Sequence, residues 1–162
     1  MGTGREIRCY DYVNHPYDRV RDALSADAGA LLRAATRAAS SRAESVASQL
    51  RVNLAGLEVA KDIALDVGGV EESRRGAGQA PVTRVQLQWE AAESPRLFPL
   101  MRAELSVYPL TATETQLDFA GRYEPPLGAL GSAIDAVILH RIAEASVHRF
   151  LGDVAGYLRR EL

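Results

Sequence analysis

The sequence predicts an α+β domain in which a curved antiparallel sheet wraps one long C-terminal helix, with two further helices after the first strand. Three observations carry that expectation. Apolar and polar residues alternate with a period of two in five successive runs between residues 50 and 123. Residues 127–160 are a long stretch of helical character without proline. Helical stretches ahead of the strand runs are also too few to supply the crossovers a parallel sheet needs.

Ile7 to Val13 reads as the first strand and is bounded by Asn14, His15 and Pro16. Pro16 suits a first helical turn, where its missing N–H has no intrahelical partner. Asp18 follows where negative charge is favoured. Val20, Ala23 and Leu24 form an apolar stripe, which Ser25, Ala26 and Asp27 are expected to break. A second helix is expected from Ala28 to about Ala47, rich in alanine, arginine and serine. Its apolar face is thin, and Arg33 and Arg37 are i,i+4 neighbours on a solvated or anion-facing side.

The period then changes to two. Leu50, Val52 and Leu54 form one run, and Gly56 marks a turn or bulge. Leu57, Val59, Ile63, Leu65 and Val67 form the next, which Gly68 and Gly69 are expected to end, leaving a mobile connection up to Pro81. Val85, Leu87 and Trp89 follow, then Met101, Ala103, Leu105 and Val107, then Leu117, Phe119, Gly121 and Tyr123. Each run has one apolar face, so an antiparallel meander wet on one side is expected. Glu124, Pro125 and Pro126 close the sheet, and a long helix is expected from Leu127 to about Arg160.

Composition narrows the function. The chain has 162 residues, 47% of them hydrophobic and 25% charged, with a net charge of −2. That is globular composition, and a single domain over 1–162 is expected. A pI near 5.9 gives no basic footprint for nucleic acid. Cys9 is the only cysteine, which excludes an internal disulfide and a multi-cysteine metal cluster. Met1 to Tyr10 has no apolar run of signal-peptide type, and no stretch approaches a transmembrane span. A cytoplasmic domain is the expectation. Lys61 is the one lysine among 19 basic residues, which together with abundant alanine points to a high-GC bacterial genome.

Two passages carry a family resemblance. Residues 9–27, CYDYVNHPYDRVRDALSAD, and residues 121–162, GRYEPPLGALGSAIDAVILHRIAEASVHRFLGDVAGYLRREL, resemble the opening strand with its proline-led helix and the closing strand with its C-terminal helix of the SRPBCC, or helix-grip, superfamily. That superfamily includes the START-like lipid-transfer domains, the birch-pollen-allergen class, polyketide cyclase/dehydrases and coenzyme Q-binding proteins. The resemblance implies a sheet of six to seven strands and an internal hollow for a hydrophobic small molecule such as a lipid, isoprenoid or polyketide. It implies no universal catalytic motif. Six strands are read here where seven are usual, and the alanine-rich second helix is longer than its counterpart in that family.

Ligand pockets are apolar with few convergent polar groups, so polar residues on apolar faces are the candidates. Lys61 shares the parity of Leu57, Val59, Ile63, Leu65 and Val67, as a packed stem with a solvated amine or as a ligand anchor. On the long helix His140, Glu144 and His148 follow at four-residue steps with Val137 near their stripe. Facing in, Glu144 could pair with Lys61 and orient a histidine for acid/base work; facing out, the row is solvated. Met101, Leu105 and Phe119 share the proposed inner face with Trp89 and Tyr123, whose polar tips could reach a ligand.

No metal site or cofactor is expected. The outer histidines of the row are about 12 Å apart, too far to share one ion. HExxH, GxxxxGK[ST], GxGxxG and GxSxG motifs are absent. Binding of a hydrophobic small molecule is therefore the leading expectation, with a homodimer possible. A cyclase or dehydratase using His140, Glu144 and Lys61 is the alternative, and a protein-interaction module is a third reading.

Overall fold

The structure, a computed structural model, describes residues 5–49, 63–74, 80–91, 100–124 and 136–162. Among these residues the chain forms β1 (Arg5–Val13), α1 (Tyr17–Gln49), β2 (Ile63–Arg74), β3 (Pro81–Ala91), β4 (Leu100–Pro109), β5 (Thr115–Glu124) and α2 (Ala136–Glu161). The expected strand over 50–54, the first half of the following one, and the expected helix start at Leu127 lie outside the described residues.

The strands form one sheet in the order β1-β5-β4-β3-β2, with every neighbouring pair antiparallel. β2 to β5 thus make the meander that the period-two runs require, and β1 joins beside β5. Alternation sorts the two faces. Ile7, Cys9, Val85, Leu87, Leu105, Val107, Leu117, Phe119 and Tyr123 are buried on the inner face, whereas Glu6, Arg8, Tyr10, Gln86, Arg102 and Arg122 are exposed on the outer one. Both helices pack on the inner face and on each other, α2 against β1 and β5, α1 against β2 and β4. This is the α+β helix-grip fold.

Two expectations are corrected. The first stretch after β1 is one continuous helix, not two. Pro16 stands one residue ahead of it, its carbonyl accepting from Arg19 and Val20 at 3.1 and 3.3 Å. The helix runs through Ser25, Ala26 and Asp27 because Tyr17, Val20, Leu24, Leu31, Leu32 and Ala35 form one buried stripe across that point. Helix propensity costs at most about 0.7 kcal/mol for an ordinary residue and about 1 kcal/mol for Gly29, whereas each buried leucine contributes about 1.5–3 kcal/mol. Burial wins.

The second correction concerns Gly68 and Gly69, which do not end β2. The pairing register shifts between Val67 and Val70, and the strand continues to Arg74 opposite Pro81. A Cβ on Gly68 would meet the Gln86 Cβ at 3.0 Å and its carbonyl oxygen at 3.4 Å. Glycine therefore lets a bulge lie close against β3 rather than terminating the strand.

Helix α2 settles which of its faces is buried. Ala143, Ser146, Val147, Phe150, Leu151, Val154, Ala155 and Leu158 alternate in steps of three and one, a single stripe turned to the sheet and α1. Phe150 meets Phe119 of β5 edge to face, with ring centroids 5.9 Å apart. The C-terminal end is tied to β1 by Arg159, which pairs with Asp11 at 2.8 Å, donates to the Tyr12 carbonyl and lies over the Tyr12 ring.

Candidate functional site

The sheet register gathers the inner-face candidates into rows. Tyr123 of β5 stands opposite Arg5 of β1 and Met101 of β4; Met101 stands opposite Trp89 of β3, and Trp89 opposite Leu65 of β2. Three candidates that are far apart in sequence thus share one row across five strands. Two rows further along the strands, Phe119 stands opposite Cys9 and Leu105, both candidates being buried. Between these rows runs a third, Ile7, Gly121, Ala103 and Leu87, whose two central side chains are the smallest available. The side chains of Trp89, Met101 and Val137 are not described, and Lys61 lies outside the described residues.

Helix α2 brings one polar group to this end of the sheet. The Tyr123 hydroxyl lies 2.9 Å from His140 Nδ1, and the two rings stack at 5.8 Å. Tyr123 is 1% exposed, and His140 is half-buried. Burial pushes the Tyr123 hydroxyl above its ordinary pKa, against an opposing pull from the Arg5 charge. The phenol therefore keeps its proton through neutral pH. It donates to Nδ1 when the ring hydrogen is on Nε2, and it accepts from Nδ1 in the other tautomer. A neutral phenol linked to an imidazole can position a ligand hydroxyl or carbonyl, or move a proton.

The histidine row of α2 divides. His140 turns toward Tyr123, while Glu144 and His148 are exposed. Four-residue steps advance about 40° per step around a straight helix, so a row that starts near the sheet drifts toward solvent. The structure thus places Glu144 on the solvent side. Tyr123 and His140 are separate candidates in the sequence, and only the fold makes them partners, because they belong to different elements.

Other polar groups on the inner side are structural. The Tyr17 hydroxyl and Thr83 Oγ1 are 2.6 Å apart, joining α1 to β3 in the core. The Thr115 hydroxyl donates to the His15 carbonyl at 2.8 Å, fixing the strand-to-helix junction at the other end of the sheet. Cys9 is a free, buried cysteine. Burial first, then the Asp11 and Asp118 charges, push its pKa up to about 12, so the thiol stays neutral. Among the described residues no group of three or more histidine, cysteine, aspartate or glutamate side chains could hold a metal ion. No helix among them is long and apolar enough to cross a membrane.

No family model and no curated protein matches the chain. Solved structures do. The chain is similar to the ZhuI aromatase/cyclase from Streptomyces sp. R1128, with 12% identity, a TM-score of 0.47, and 97% of this chain and 94% of that one covered. It is similar to norcoclaurine synthase from Thalictrum flavum in complex with dopamine and hydroxybenzaldehyde, at 9% identity and a TM-score of 0.44, covering 99% and 90% of the two chains. It is also similar to Ara h 8.0201, at 7% identity and a TM-score of 0.45, covering 98% and 99%.

Proposed function

We propose that this chain binds a hydrophobic small molecule, of lipid, isoprenoid or polyketide-like chemistry, between the inner face of the sheet and α2. The observation that carries the reading is the Tyr123–His140 hydrogen bond. It is a polar pair at one end of a face whose buried side chains include Ile7, Leu87, Leu105 and Phe119. Apolar walls supply affinity by removing ligand surface from water, and a few fixed polar groups supply orientation. The row of Gly121 and Ala103 beside the pair carries little side-chain bulk. Lys61, Trp89, Met101, Leu105, Phe119 and Val137 belong to the same proposal as wall or anchor residues.

Native mass spectrometry of the protein purified from cells tests this reading. A co-purifying apolar molecule is expected, and Tyr123→Phe and His140→Ala should weaken binding of hydroxyl- or carbonyl-bearing ligands while sparing pure hydrocarbons. Absence of any bound species, with no uptake from a panel of added lipids and aromatic polyketides, would remove the proposal.

The phenol–imidazole pair also favours a second reading, a cyclase or dehydratase. In such chemistry an enclosing wall folds the substrate into a reactive conformer and an acid/base pair moves the proton. His140 would be the group in play, with Lys61 the further candidate. His140→Ala should then abolish turnover of a polyketide-like substrate while leaving its binding measurable, and unchanged turnover would exclude this role.

A further inference from the structure

The outer face of the sheet, turned away from both helices, carries an open groove of about 330 Å³ between Glu6, Gln86, Arg102, Glu104, Ala120 and Arg122. Two arginines meet there, since Arg102 of β4 stands directly opposite Arg122 of β5. Directly opposed side chains in an antiparallel pair have Cβ atoms about 4.5–5.5 Å apart, and like charges so placed repel. The carboxylates of the groove do not relieve them. Glu104 is engaged by Arg84 at 3.4 Å, by the Gln86 amide at 2.7 Å and by the Ser106 hydroxyl at 3.1 Å. Glu6 stands opposite Arg122 in the register, yet it pairs with Arg8 of its own strand at 2.7 Å.

Each carboxylate of the groove thus has its own arginine. Among the described residues neither Arg102 nor Arg122 makes an ion pair. Ala120, beside them on the same outer face, adds no bulk to the floor. A chain with a net charge of −2 has no general attraction for anions, so any affinity there must come from the local pair. Guanidinium groups present planar forks of N–H donors that match the oxygens of phosphate-type anions.

We propose that Arg102 and Arg122 form a binding site on the outer sheet face for a phosphate-type oxyanion, held between the two guanidiniums. A dianion there cancels the repulsion of the pair and gives each fork an acceptor. The site is separate from the inner-face ligand reading and does not depend on it.

Amide chemical shifts followed by NMR, titrated with inorganic phosphate and with phenyl phosphate at constant ionic strength, test the proposal. Saturable shifts are expected at residues 86, 102–104 and 120–122. Arg122→Gln, and independently Arg102→Gln, should weaken both ligands about tenfold or more, the range for a lost hydrogen bond to a charged group. Arg149→Gln, on the exposed side of α2, should change nothing. Phosphate should raise the melting temperature of the unaltered chain and not that of either groove variant, a response that fold damage would not mimic. Tighter phenyl phosphate points to an esterified ligand, and equal affinities point to free phosphate. No saturable shift in the millimolar range, shifts spread over arginines throughout the surface, or full binding by both folded groove variants would overturn the site.

Discussion

The continuity of α1 makes one prediction that can be worked through. Tyr17 opens that helix, and its hydroxyl lies 2.6 Å from Thr83 Oγ1 on β3, with Tyr17 6% and Thr83 0% exposed. Tyr17→Phe removes one partner and leaves the threonine hydroxyl buried with nothing to bond. Thr83→Val does the reverse. Stranding a buried polar group costs about 1–3 kcal/mol, whereas removing both partners together is close to neutral. Each single variant should therefore lose about 1–3 kcal/mol, and the double variant should lose clearly less than the two combined. In a chain of this size 1 kcal/mol moves the melting temperature by about 2–4 °C. Urea unfolding of the four chains measures the coupling, with unchanged m-values showing that compactness is preserved. Losses that add to within about 0.5 kcal/mol would show that the hydroxyls do not meet, and would refute the Tyr17–Thr83 link between α1 and β3.

Three further outcomes follow from the packing and the charges. Phe150→Ala empties a fully buried position edge-on to Phe119 and should cost about 3–5 kcal/mol by denaturant unfolding. Gly68→Ala puts a methyl against the Gln86 Cβ at the bulge and should cost about 1–3 kcal/mol, with amide exchange of β2 accelerated beyond that point. The Cys9 thiol, raised from 9.0 to about 12 on folding, keeps its proton where the unfolded chain has released it. That contribution is complete below about pH 9 and lost as pH rises toward 12, up to about 4 kcal/mol, so Cys9→Ala should flatten the alkaline decline in stability measured by urea midpoints.

The legibility of the fold varied from element to element. The period-two runs of β3, β4 and β5 could be read because each strand has one buried and one wet face, which writes the face directly into the sequence. The end of β2 could not. Gly68 and Gly69 look the same at a strand terminus as at a bulge, and only the approach of Gln86 on a neighbouring strand tells them apart. Ser25 to Asp27 likewise carry a local break signal that the stripe from Tyr17 to Ala35 overrides by burial on both sides of it. In the candidate site Tyr123 could be placed by parity on β5, and His140 by its position on a long helix. Their 2.9 Å contact could not be foreseen, because nothing in either segment encodes how α2 is rotated against the sheet.

What the sequence determined by itself was the strand character and apolar face of β3, β4 and β5, since periodicity is a local property of consecutive residues and follows from backbone geometry. It also determined the chemistry in supply: one cysteine, one lysine, a small net charge and a few polar residues on apolar faces. The tertiary structure decided which of those groups meet. It joined Tyr123 to His140, sent Glu144 and His148 into solvent, and set Arg102 against Arg122 on the outer face. The physical reason is range. Alternation and helical pitch act over a few residues, whereas the rotation of α2 and the register of β4 on β5 are set by the packing of the whole core.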